Sequence, residues 1–363
     1  MKTAVTELFG VRYPILNAGM GRVALPKLAA AVSNAGGLGV IGAGSSPPDL
    51  TREYIRTVRS LTDRPFGINC PLALPNAMDN ARVALEEKVP VINYSMGKGD
   101  WIVKAAHAYG GKVMASVTDT HFAQRAQAHG ADAVIAAGHE AAGHAGSVTV
   151  FVLAQRLAEL LKIPIITAGG VANGSGLVAA LALGASGVSM GTRFLLTKES
   201  PMHQNFKDKA LELDVQDTIY SDKFDGIPCR QMRTEATERV LAERLNVWTV
   251  FLNSFAIARE LQRPYFSLLK EVLSAGPKHT IALMRMARTL NLHTITLTTG
   301  DLKTGITASG MSVGLVHDIP TVAEVVERIM AEAYACQRSL AGMFAAEGGV
   351  NAQRPGASSA LSA

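Results

Sequence analysis

The chain has 363 residues, 48% hydrophobic and 18% charged, which excludes a disordered protein and is enough for a large buried core plus a smaller domain. Its net charge of +5 comes from 35 Lys and Arg scattered along the chain, so no basic stripe for nucleic acid is present and a small anionic ligand is the expected partner. The three cysteines, Cys70, Cys229 and Cys336, lie too far apart for a disulfide framework or a zinc motif, and no apolar run reaches the roughly 18 residues of a membrane span.

The opening "MKTAVTELFGVRYP" lacks the apolar core of a signal peptide, so a cytoplasmic location is expected. Short runs rich in β-branched residues then predict eight strands. In chain order these are "PILNA" from Pro14, "LGVIG" from Leu38, "PFGIN" from Pro65, "PVINY" from Pro90, "KVMAS" from Lys112, "DAVIA" from Asp132, "PIITA" from Pro164 and "GVSM" from Gly187. Segments with helical spacing lie between them, among them Leu25 to Gly37, Thr118 to Gly130 and Asn173 to Gly184, each closing on glycine. Runs apolar on both faces and joined by crossover helices imply a parallel sheet, and eight such units close an α/β (β/α)8 TIM barrel. A doubly wound open sheet is the competing architecture.

The barrel is expected over 1–205. From Phe206 the rhythm changes to longer charged helices, "TEATERVLAERLN", "YFSLLKEVLSAG" and "HTIALMRMARTLN", with no strand between them; this predicts an inserted helical lid over 206–305. Phe251, Phe255 and Tyr265 of that lid are expected to serve its own packing. The chain returns to the barrel over 306–347, through a Gly/Ser/Thr-rich loop and a helix opening near Pro320 and Thr321. The Ala/Ser/Gly-rich tail, 348–363, is expected to be disordered.

In a barrel of this kind, function sits on loops at the C-terminal ends of the strands. The loops after the seventh and eighth strands often bind phosphate, and here they carry Gly169, Gly170, Gly191 and Thr192; the plainer reading is tight turns before helices. A sugar phosphate, a nucleotide or flavin mononucleotide would suit such a site. Met20 beside Gly19 offers a soft thioether to a flat ring, and Asn69 offers an amide to its polar edge, whereas core filling is the alternative for Met20. The segment "TASGMSVG" sets Ser309, Gly310 and Met311 on a ligand-facing loop or a plain linker. The sixth strand ends in "GHEAAGHAG", where small neighbours leave room around an imidazole, a group whose unperturbed value of about 6.5 lies within reach of neutral pH.

Together "NAGMG", "AAVSNAGGLGVIGAG", "GHEAAGHAG", "TAGGVANGSGLVAALALGASGVSMGTRFLLTKES" and "GITASGMSVGLVHDIP" resemble the nitronate monooxygenase family, formerly 2-nitropropane dioxygenases, over nearly the whole chain. That family is in turn similar to FMN-dependent NAD(P)H:quinone reductases and FMN-dependent enoyl-[acyl carrier protein] reductases. The resemblance implies an FMN-dependent barrel with a helical substrate domain. It implies that Gly19, Met20 and Gly21 line the flavin ring with Asn69 nearby, that Ser116, Ala142 and Gly143 touch the cofactor, and that Gly169, Gly170, Gly191 and Thr192 hold its phosphate. It also sets Ser309, Gly310 and Met311 beside flavin and substrate, and makes His144 the catalytic residue, accepting a proton from a substrate carbon or orienting it. His139 is expected to be structural and Glu140 to hold a backbone amide or orient the loop.

The implied reaction is oxidation of an alkyl nitronate by O2 to a carbonyl compound and nitrite. The alternative is NAD(P)H-dependent reduction of a quinone or an enoyl thioester, and a third reading is flavin binding without turnover. Ser116 stands where quinone-reductase-like relatives tend to carry lysine, which removes a cation near the flavin. The short passage from "GHAG" into "SVTVFVLAQRLAELL" resembles the enoyl reductases, whereas "GDLKTGITASGMSVGLVHD" resembles the nitronate and quinone group.

Overall fold

A computed structural model describes residues 1–243, 264–266, 270 and 277–347. All eight expected strands are present: β1 (Ile15–Asn17), β2 (Gly39–Gly42), β3 (Phe66–Pro71), β4 (Val91–Ser95), β5 (Lys112–Val117), β6 (Ala133–Ala137), β7 (Ile165–Ala168) and β8 (Gly187–Met190). They form one parallel sheet in which sequence neighbours pair from β2 to β8 and β8 returns to β1. The last seam, between β1 and β2, has a single ladder contact, Leu16 with Leu38. Asn17 supplies what the ladder lacks: its fully buried amide donates to Val40 O and accepts from Val40 N, both at 2.8 Å. The sheet is thereby closed into a (β/α)8 barrel.

The strands are apolar on both faces because both faces are covered. Inward, Leu16, Leu38, Val40, Met114, Ile135 and Ile166 fill the barrel, and helix α1 (Ala4–Phe9) plugs its N-terminal end with Val5 and Phe9. Outward, the strands pack on α2 (Pro26–Asn34), α3 (Pro48–Leu61), α4 (Ala77–Glu86), α5 (Asp100–His107), α6 (Thr120–Ala128), α7 (Val150–Leu160) and α8 (Gly174–Ala182). Asp119 and Asn173 cap α6 and α8 by accepting the N–H groups of Phe122 and Gly176, at 2.8 and 2.9 Å.

After β8 come α9 (Thr192–Leu195), α10 (Gln204–Leu211), strands β9 (Thr218–Ser221) and β10 (Cys229–Met232), α11 (Glu235–Ala242), α12 (Pro277–Thr298), a 3-10 turn (Met311–Leu315) and α13 (Val322–Glu347). The antiparallel β9–β10 hairpin corrects the expectation of helices alone between Phe206 and Thr299. Its strands are four residues each, too short for a periodic signal, and are held by contacts with the barrel rim described below. Phe251 and Phe255, most of "YFSLLKEVLSAG" and the tail 348–363 lie outside the described residues. Among the described residues no helix is long and apolar enough to cross a membrane.

Helix α13 lies among the barrel helices, against α8 and α2. Thr321 and Glu324 cap each other at its start, and Val322, Val325, Val326, Ile329, Met330 and Ala333 pack against α8 and α2. Glu332 accepts the first N–H of α8, from Gly174, at 2.8 Å. Ile329 is 2% exposed, so Ile329→Ala is expected to lower the unfolding free energy by about 2–5 kcal/mol. Urea denaturation checks this, and a change under about 0.5 kcal/mol, the range of surface substitutions, would show that α13 is not part of the barrel core.

Candidate active site

A cavity of about 860 Å³ opens over the C-terminal ends of the strands. That is the size range of small-molecule and cofactor sites. Its wall includes Gly19, Met20, Gly21, Asn69, Ser116, Ala142, Gly143, His144, Gly169, Gly191, Thr192 and Gly310. Gly170, Ser309 and Met311 are set back from it, and from the same return loop Ala308 and Ser312 reach the wall instead.

The floor is made by β1 to β5. The β1 loop lies flush on β3, because a Cβ at Gly19 would overlap that of Asn69, whose amide donates to Gly19 O at 2.9 Å. From Asn69 a row of amides and a hydroxyl crosses the sheet: Asn93 donates to Asn69 Oδ1 and to Ser116 Oγ, each at 3.1 Å. Beside Met20, Arg22 adopts a left-handed φ of 63° and its guanidinium reaches Thr294 and the Leu290 carbonyl of α12.

The β7 and β8 loops form the far wall. Gly169 and Gly170 have φ of 106° and 74°, values that L side chains rarely adopt, and a Cβ on Gly169 would come within 2.7 Å of Ala141 N. Gly310 donates to Thr192 Oγ1 at 2.9 Å and Met311 to Glu140 O at 3.0 Å, so the return loop is clasped between the β6 and β8 loops. Ser309 is fully buried there, its hydroxyl without a hydrogen-bond partner among the described residues.

The β6 loop carries the histidines. Glu140 turns its carboxylate to the Val150 N–H at the start of α7, at 2.9 and 3.2 Å, which satisfies an orphan helix donor. His139 hydrogen bonds to Gly146 O at 3.1 Å and to Arg230 at 2.9 Å, and meets the Tyr220 ring edge-on at 4.7 Å between centroids. The β9–β10 hairpin straps this loop. Gly143 and Arg230 exchange backbone hydrogen bonds of 3.1 and 2.8 Å, and Tyr220 donates its hydroxyl to Ala145 O at 2.7 Å.

Across the hairpin turn, Asp225 meets His144, with Oδ2 2.8 Å from Nε2. Burial raises the Asp225 carboxyl, but the hydrogen bond and charge of His144 and the N–H of Ile227 outweigh it, leaving the group below its ordinary 3.8. Burial, with the Asp225 charge adding to it, pushes the Cys229 thiol up to about 12. The ligand atoms of His144, Asp225 and Cys229 lie within 4.8 Å of one another, a spacing a metal would accept. A carboxylate that hydrogen bonds to both the imidazole and the thiol accounts for the cluster without one.

His293 of α12 faces the same cavity and lies 3.3 Å from Gln231 Oε1. Burial, aided by the Arg22 cation, lowers its imidazole from 6.5 to about 4. Its folded value lies below its unfolded one, so the stability it confers is complete above pH 6.5 and is lost as pH falls towards 4. His293→Asn is therefore expected to flatten the fall in urea midpoint between those two values, and identical pH profiles for variant and native protein would refute the assignment.

Asp225, Tyr220, Arg230, His293 and Asn93 all escape the sequence reading. A signal for the first three exists: "DG" at Asp225 and Gly226, between "TIYS" and "CRQM", has the make-up of a hairpin turn. Nothing in the sequence sets that hairpin beside the β6 loop.

The sequence model of the nitronate monooxygenase family matches residues 2–332. The (3aS,4S,5R,7aS)-5-hydroxy-7a-methyl-1-oxo-octahydro-1H-indene-4-carboxyl-CoA dehydrogenase of Rhodococcus jostii is 33% identical over 92% of this chain and 96% of its own. The nitronate monooxygenase of Paraburkholderia phytofirmans is 32% identical over 65% of this chain and 78% of its own. Among solved structures, FabK from Thermotoga maritima superposes with a TM-score of 0.79 at 34% identity, covering 94% of this chain and 99% of that one. A family match across the barrel, the hairpin and the start of α13 leaves one assignment: the chain belongs to the nitronate monooxygenase family of oxidoreductases.

Proposed function

We propose that this protein is an FMN-dependent enzyme that oxidises small alkyl nitronates with O2 to carbonyl compounds and nitrite. The observation that carries the reading is the His144 imidazole, held by Asp225 at the wall of a cavity whose lining includes glycine loops and neutral amides. The residues present suit FMN. Gly169 turns its backbone through a left-handed φ where a side chain would strike Ala141, leaving an open cradle with Gly191 and Thr192 for a phosphate. Met20 and the Gly19 backbone offer a flat apolar surface, edged by the Asn69 amide. Bound there, FMN would accept electrons from the substrate.

The remaining chemistry belongs to the chain. His144 takes the proton from the carbon next to a nitro group, or orients a nitronate that has already lost it. The described elements between 206 and 305 that line the site, the β9–β10 hairpin and α12, serve it as a substrate domain. Purified protein is expected to be yellow and to consume O2 with propyl 2-nitronate; a flavin-loaded preparation without turnover on any alkyl nitronate would reject the reading.

A second reading is favoured by one specific observation. The relative named as a carboxyl-CoA dehydrogenase aligns over 92% of this chain, whereas the nitronate monooxygenase of Paraburkholderia phytofirmans aligns over 65%. On that reading the site exchanges electrons between NAD(P)H and an acyl thioester. Rapid anaerobic bleaching of the flavin by NADH or NADPH would favour it, and persistence of the oxidised spectrum would favour the nitronate reaction.

A further inference from the structure

We infer that Asp225 is the positioning residue of the site: it holds neutral His144 as the Nε2–H tautomer, so that Nδ1 presents the lone pair that receives the substrate proton. The inference rests on the reading that His144 meets the substrate. A neutral imidazole carries one N–H and one lone pair, and its partner decides which nitrogen has which. The partner here is a carboxylate 2.8 Å from Nε2. An ionised carboxylate only accepts, so Nε2 must donate.

Asp225 is well placed for this because it is fixed. It is 7% exposed, and its second oxygen accepts the Ile227 N–H at 3.1 Å. Thr289 of α12 donates to the neighbouring Phe224 O at 2.6 Å, and the Gly143–Arg230 bridge binds the hairpin to the very loop that carries His144. Carboxylate and imidazole therefore keep their separation although they stand 81 positions apart in the sequence. Among the described residues, the other titratable groups around the pair include Cys229 and Tyr220 from the hairpin, Asp222 at its turn, His293 from α12 and Arg22 from the β1 loop. Asp225 supplies the buried carboxylate among them.

The step is a proton transfer. The substrate C–H bond breaks, its electron pair stays on carbon, and the proton forms a new N–H bond at Nδ1. Asp225 remains ionised and faces the imidazolium through Nε2–H. His144 keeps 29% of its side chain exposed, so the proton can afterwards pass to water.

The test is the tautomer itself, read from long-range 1H–15N couplings in protein with 15N-labelled histidine at mildly alkaline pH. The His144 signals are identified by their loss in His144→Gln. The expected pattern is Nε2–H with unprotonated Nδ1, and an Nδ1–H pattern would overturn the inference. Asp225→Asn is expected to mix the tautomers and to lower kcat on a neutral nitroalkane by about 10²–10⁴-fold with little change in KM, as removal of an imidazole-orienting carboxylate does elsewhere. Asp225→Glu is expected to restore part of the rate. If Asp225→Asn keeps both the native tautomer and the native kcat, the inference fails. The native spectrum needs no substrate, so it decides the matter even where a variant does not fold or no nitronate is turned over.

Discussion

His144→Gln is expected to leave the protein folded and yellow while lowering turnover of a neutral nitroalkane by about 10²–10⁴-fold, the usual contribution of a positioned general base. Glutamine suits the experiment because its amide can still donate to Asp225, so the buried carboxylate is not left without its partner at 2.8 Å. What it lacks is a nitrogen lone pair able to take a proton. A preformed nitronate has already lost that proton, so its turnover should fall by much less, about tenfold or under, if the imidazole serves it only by orientation. Stopped-flow flavin reduction with both substrates measures the two effects side by side. Equal losses on nitroalkane and nitronate would mean that His144 orients rather than deprotonates, and no loss on either would remove it from the reaction.

Gly169→Ala is expected to abolish flavin retention through gel filtration while sparing the barrel. A side chain at φ 106° costs about 1–3 kcal/mol. The new methyl would also lie 2.7 Å from Ala141 N and about 3.1 Å from its Cα and Cβ, atoms of the β6 loop with little freedom to withdraw. The turn must open, and each 1.4 kcal/mol spent in restoring it weakens FMN about tenfold. Fluorescence titration of the apoprotein with FMN gives the affinity, and far-UV circular dichroism reports the barrel. Undiminished affinity would show that the β7 turn takes no part in holding the phosphate.

The eight strands were legible because each is a short apolar run stopped by Gly, Pro or Asp, and a barrel strand is covered on both faces wherever it lies in the ring. The glycine loops were legible for a related reason. A backbone such as that of Gly169 excludes other residues locally, so the residue type marks the geometry. The His144 loop stood out by contrast, an imidazole among alanines and glycines. The hairpin did not stand out, since β9 and β10 are four residues each and their stability comes from Gly143, His139 and Ala145 on another loop.

Composition and periodicity thus determined by themselves the strand count and the crossover helices, since these follow from local backbone preference and from burial on one or both faces. Only the tertiary structure decided that Asn17 seals the barrel across 23 residues and that Asp225 reaches His144 across 81. The physical reason is that a hydrogen bond between distant segments leaves no periodic trace: one carboxylate in a hairpin turn looks like any other polar turn residue until the chain has folded around it.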